Sequence, residues 1–255
     1  MRAILRSPRR MSRGMNCRRH RCAQAGVSLV EVLVAMVIAL FMLAALMTVF
    51  LNLRGTVRDQ ERLAALQDSE RLVMTMLANT VQSAGYFPDP LNQVAADALP
   101  ALADNAFGDF VAGQAIVGQS GADGASDTLT ARFVTASGDG IMNCQGAANT
   151  SGASVAYLNT FAVNAANELT CAVNGGAPVP LAGGISALRV RYGTDTGNGG
   201  NVDTYLSASA VSAGALWGQV RSARVTLTFA NPFAGQPGQP ATLGWTQTIS
   251  LMNRP

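Results

Sequence analysis

Gly26-Val27-Ser28-Leu29-Val30-Glu31 opens an apolar run that continues from Val32 to Leu51 without a charge. Eight arginines and no acid stand before it: Arg2, Arg6, Arg9, Arg10, Arg13, Arg18, Arg19 and Arg21. Val32–Leu51 as a helix would span ~30 Å, the thickness of a bilayer's hydrocarbon core. A carboxylate at the centre of such a span costs ~2.5–3.5 kcal/mol on insertion scales. Glu31 lies near the end of the run, so its cost is smaller, but it still calls for a partner. Arginines crowd one flank, and only Arg54, Arg58 and Arg62 follow on the other. That asymmetry predicts a single span with its N-terminus in the cytoplasm and its C-terminus outside.

A basic leader, a glycine, an early glutamate and an apolar run together resemble the processing site of type IV prepilins and their type II secretion relatives. The resemblance implies that a membrane peptidase cuts after Gly26 and methylates the new amine of Val27. Val27 stands where Phe is commoner in those families. It further implies that Glu31, fifth after the cut, sets register between subunits by meeting a neighbour's N-terminal amine in an apolar filament core. At low dielectric such a pair is strong, while either charge alone is penalised. An ordinary single-span anchor whose Glu31 reaches the headgroups is the plainer alternative.

Residues 1–26 are therefore read as a leader and set aside from the fold. The leader is long for that family, which makes Met11 or Met15 a candidate start. The 18 basic residues, all arginine, outnumber the 15 acids over the whole chain, but all the acids follow Gly26 and only ten arginines do. The processed chain is thus net acidic, which argues against nucleic-acid binding. Its one histidine, His20, lies in the leader. Without imidazole a Ser–His triad cannot be assembled, and no G-x-S-x-G or P-loop is present, so an enzyme is not expected and no cofactor is called for.

Beyond the span the helical pattern persists. From Asn52 to Ala84 there is no proline, and Leu63, Leu66, Val73, Leu77 and Val81 recur at near-helical spacing among Arg58, Asp59, Glu61, Arg62, Asp68 and Arg71. The division is 27–53 for the membrane or filament-core helix and 54–87 for an amphipathic continuation. Together they make one helix of ~55 residues, on the order of 80 Å. Gly55 is its expected flex point. Major pilins often carry a kinking proline about where Thr48 stands here. Gly85-Tyr86-Phe87-Pro88 signals the stop.

Residues 88–126 read as a partly irregular connection. From 127 to 255 the period changes to two. Leu129, Ala131 and Phe133 alternate with Thr130 and Arg132; Leu169, Cys171 and Val173 with Thr170 and Ala172; Leu188, Val190 and Tyr192 with Arg189 and Arg191. Ala223, Val225, Leu227 and Phe229 alternate with Arg224, Thr226 and Thr228, and Leu243, Trp245, Ile249 and Leu251 with Thr246, Thr248 and Ser250. This predicts an antiparallel sheet, one face buried and one wet. The fold class is α+β: a long N-terminal helix packed on a C-terminal antiparallel sheet, a pilin-like lollipop. Cys144 and Cys171, with 26 residues between them, are candidates for a disulfide if this part lies outside the cytoplasm, worth ~3–4 kcal/mol in the chain-entropy model. Two buried thiols are the alternative.

Three further pieces are similar to the PilW family of minor pilins: Ala84-Gly85-Tyr86-Phe87; Leu188-Arg189-Val190-Arg191-Tyr192-Gly193 leading to Asp195, Asp203 and Tyr205; and the strands from Val220-Arg221 to Leu251-Met252-Asn253-Arg254, where the family usually has Arg in place of Met252. The resemblance implies a scarce subunit that helps start pilus assembly, at the tip. Its partners would be the prepilin peptidase, other minor pilins, the major pilin and the inner-membrane assembly platform. Rival readings are a minor pseudopilin of type II secretion and a DNA-uptake pilin using a strip of Arg189, Arg191, Arg221 and Arg224. That strip reads more plainly as a solvated strand face. Asp195, Asn198, Asn201 and Asp203 crowd a Gly-rich loop that could offer oxygen ligands to Ca²⁺, but the loop lacks EF-hand order and reads as a solvated turn.

Overall fold

The structure, a computed structural model, describes residues 26–103, 108–197 and 199–253. Residues 1–25, expected above to be most of a leader, and Asn198 lie outside the described residues. The chain divides into two units, one to Val57 and one from Arg58. Helix α1, Leu29–Ser83, contributes to both.

In the first unit, Gly26, Val27 and Ser28 are not helical, and the amide of Val32 donates to the Ser28 carbonyl at 3.2 Å, closing the first turn. Every residue from Gly26 to Val57 is exposed. Thr48 turns its hydroxyl back to the Ala44 carbonyl at 3.0 Å. The helix runs through Gly55 as one element and shows no break at the expected flex point.

In the second unit, α1 buries one face: Glu70, Val73, Met74, Leu77, Ala78 and Val81 repeat at intervals of three and four, the spacing that stacks side chains on one side of a helix. Leu63 stays exposed and Leu66 is partly buried, so the apolar stripe is covered only from its middle onward. The helix stops where Gly85 takes φ +82°, and the Gly85 amide donates to the Arg132 carbonyl at 2.9 Å. A Cβ there would lie 2.4 Å from the Asn253 carbonyl oxygen. Only glycine serves at this position, on both counts.

Two antiparallel sheets replace the single sheet expected. The first has the order β1-β2-β3-β4-β5: β1 Ile116–Gln119, β2 Thr128–Thr135, β3 Val155–Val163, β4 Glu168–Val173 and β5 Val179–Gly183. The second has the order β7-β6-β8-β9: β6 Ile185–Thr194, β7 Thr204–Leu206, β8 Val220–Ala230 and β9 Thr242–Ser250. Short helices α2, Ala95–Ala98, and α3, Ala208–Ala213, lie in connections. One core joins the covered part of α1 to both sheets through Ile116, Leu129, Phe161, Leu169, Leu188, Tyr192, Val225 and Leu227. A disulfide ties Cys144, in the β2–β3 connection, to Cys171 of β4, with Cα atoms 6.3 Å apart.

The alternation holds for Leu188, Val190 and Tyr192 and for Ala223, Val225, Leu227 and Phe229, all buried. It fails on the outer face of the first sheet. Thr130, Arg132, Thr170 and Ala172, expected to be wet, are buried. Residues 99–103 and 108–114 lie over part of that face, and the carbonyls of Leu99, Pro100, Val111 and Gln114 receive the Arg132 guanidinium. Trp245, expected inside, is half exposed.

Candidate functional site

The stretch from Gly26 to Glu31 is built simply. Gly26 and Val27 precede the first helical turn, and a Cβ added at Gly26 would meet nothing within 4 Å. Glu31 lies in the first turn of α1 and is exposed. The helix that follows is long and apolar enough to cross a membrane, with a mean hydropathy of 2.9 over its best 18-residue window and none of that window buried. Phe41, Leu40, Leu46 and Leu53 are among the side chains left bare. Apolar surface so continuous marks a lipid or protein interaction face.

In the second unit the two candidate polar clusters resolve into internal ties. The Asp195 carboxylate is buried and accepts from the amides of Gly199 and Gly200, each at 2.9 Å, while Arg221 pairs with it at 3.4 Å. Asp203 accepts from the Gly197 amide at 2.8 Å and the Thr196 hydroxyl at 3.1 Å. Those two bonds hold the Asp203 carboxyl below the usual carboxylate range, the backbone donor contributing most. Among the described residues no group of three or more His, Cys, Asp or Glu could hold a metal ion. The reading of this loop as a solvated turn is corrected for Asp195: buried and paired, it pins the loop.

The arginine strip does not form a free basic face either. Arg189 donates to the carbonyls of Gly124 and Ala125 and sits 3.5 Å from Asp127. Arg221 is taken by Asp195. Arg191 and Arg224 are register partners across β6 and β8, and the Arg224 guanidinium lies 3.7 Å from the Tyr205 ring centroid. The plainer reading, a solvated strand face, fits the exposed Arg191 and Arg224 but not Arg189 and Arg221.

Sequence reasoning missed two places. Arg132, 2 % exposed, gives hydrogen bonds to the carbonyls of Leu99, Pro100, Val111 and Gln114 and lies 4.5 Å from the Phe110 ring centroid. Burial lowers its pKa to about 10, which leaves it charged at neutral pH. The second place is a cavity of about 360 Å³ beside α1, lined by Gln67, Glu70, Arg71, Met74, Trp245 and Gln247. Burial pushes the Glu70 carboxyl up from the ordinary glutamate value. The one signal in the sequence was Glu70 itself, an acid at a core-face position of the helical repeat.

Comparison with known proteins meets this geometry at both ends. Residues 156–244 match the family described as Type IV Pilus-assembly protein W, and residues 21–47 match the prokaryotic N-terminal methylation motif. No curated protein matches the chain. Among solved structures it is similar to a type IV-like pilin from Thermus thermophilus, at 16% identity and TM-score 0.45, over 74% of this chain and 98% of that one.

Proposed function

We propose that this chain, which belongs to the type IV pilus-assembly protein W family and carries a prepilin-type methylation motif, is a minor pilin that helps start pilus assembly and resides at the pilus tip. The observation that carries the reading is Gly26 followed by Glu31 at the head of a bare apolar helix. The arginine-rich leader keeps the N-terminus in the cytoplasm, where the prepilin peptidase cuts between Gly26 and Val27 and methylates the Val27 amine. The helix then waits in the inner membrane with the β-rich unit in the periplasm. On assembly with other minor pilins and the major pilin, the apolar helix leaves lipid for a protein-lined core. Glu31 there meets the positive amine of a neighbouring subunit, and each charge offsets the desolvation of the other. The periplasm is oxidising, which suits the bridge between Cys144 and Cys171.

The test is the intact mass of the protein extracted from membranes of cells that hold its own peptidase. The expected chain begins at Val27 and is heavier by one methyl group, about 14 Da. Gly26→Leu is expected to leave the uncut precursor. A wild-type chain that retains the residues before Gly26 would overturn the prepilin reading and leave an ordinary anchored protein.

A further inference from the structure

Glu70 stands on the core face of α1 beside Val73, Met74 and Leu77 and is 8 % exposed. Among the described residues nothing donates a hydrogen bond to its carboxylate and no cation pairs with it. An unpaired carboxylate in such a place lowers stability unless something compensates it. Arg71 lines the same cavity, but adjacent residues on a helix do not face each other. Across the cavity Trp245 is 50 % exposed, although it belongs to the inward set of β9 that ends in the buried Ile249. Among the described residues β9 is the edge strand of its sheet, and no further strand closes that side.

A carboxylate without a partner and an open indole share one cavity, which also holds the amide groups of Gln67 and Gln247. Their common complement is a planar cation. The guanidinium of arginine offers a fork of donors to a carboxylate and a flat face to an aromatic ring. The ammonium of lysine is compact and strongly hydrated and does neither as well. Acids outnumber arginines in the chain after Gly26, which favours approach of a basic group.

We infer that this cavity is a socket for an arginine side chain of a neighbouring pilin subunit, whose guanidinium pairs with Glu70 and stacks on Trp245. The neighbour's identity rests on the minor-pilin reading above; the arginine chemistry rests on the cavity alone. The interaction would give α1 a second polar contact between subunits, far along the helix from Glu31.

The chain has two tryptophans, Trp217 and Trp245, so Trp217→Phe leaves Trp245 as the only reporter. The full chain, processed and held in detergent, is titrated with N-acetyl-arginine amide and, separately, with N-acetyl-citrulline amide, its uncharged analogue. A saturable change in Trp245 emission with the arginine probe is expected, at least tenfold weaker with the citrulline probe and in Glu70→Gln. Equal responses to the two probes, or an unchanged response in Glu70→Gln, would overturn the socket. Glu70→Gln keeps the side chain's size and removes an unpaired charge, so the variant is expected to fold. Mass spectrometry on the same sample separates the two readings. Cleavage at Val27 with no arginine response refutes the socket and keeps the pilin; an arginine response from an uncut chain refutes the pilin neighbour and keeps the arginine chemistry.

Discussion

Among the described residues the buried Tyr192 hydroxyl has no hydrogen-bond partner, and a Cβ built on Gly118 would collide with it. Its ring packs edge-on against Trp217 with centroids 4.8 Å apart. Burial, and secondarily the charge of Asp127, pushes its pKa above the normal phenol value. A buried hydroxyl left unpaired costs about 1–3 kcal/mol, so this tyrosine is held for its ring rather than its oxygen. Tyr192→Phe is expected to leave the fold intact and to raise the midpoint of urea unfolding by an amount equivalent to about 1 kcal/mol. A drop of similar size would show that the hydroxyl is engaged after all. The period-two pattern put Tyr192 on the inward face correctly, because that pattern records which side of a strand a residue occupies. It holds no record of whether a polar atom finds a partner there, and so the orphaned hydroxyl was invisible in the sequence.

At the scale of elements, the informative departure is β2. Thr130 and Arg132 alternate with apolar residues as a half-wet strand should, yet both faces of β2 are covered. The cover is two lengths of chain with almost no periodicity, 99–103 and 108–114, held by polar contacts rather than by an apolar stripe. Arg132 supplies four of them and Gln114 two more, its side chain accepting from the Val111 amide and donating to the Ile116 carbonyl. A pattern of apolar residues cannot announce a layer that is attached through carbonyl oxygens. The helix end was legible for the opposite reason: Gly85 is required by its positive φ and by the close Asn253 carbonyl, and a glycine before Tyr-Phe-Pro is a local signal. Arg132→Met keeps the stem and removes the guanidinium, so several buried carbonyls lose their donor at once. Stability is expected to fall by about 3 kcal/mol or more, with hydrogen exchange rising first in residues 99–103 and 108–114. A loss under 1 kcal/mol with unchanged exchange would mean that the segment is held by its apolar contacts at Leu99 and Phe110 instead.

For the whole molecule, the two units answer to different solvents. The second has a core built from α1 and both sheets, while the first exposes an uninterrupted apolar helix whose only carboxylate is Glu31. An arginine-rich N-terminal stretch and a bare apolar span are properties of composition, so both were readable from charge count and hydropathy. In lipid Glu31 lies near the water boundary and can remain hydrated; within a filament core it would be surrounded by apolar side chains and need the neighbour's amine. On the proposed reading the charge is tolerated before assembly and required only during it. Glu31→Val is expected to leave cleavage at Val27 near the wild-type level, because the bond cut lies outside the helix and four residues away. The variant should accumulate in the membrane and fall at least tenfold in the sheared fibre fraction, read by intact mass and by immunoblot of the two fractions. Equal incorporation would mean that apolar packing alone sets register, whereas loss of cleavage would assign Glu31 to recognition by the peptidase instead of to the subunit contact.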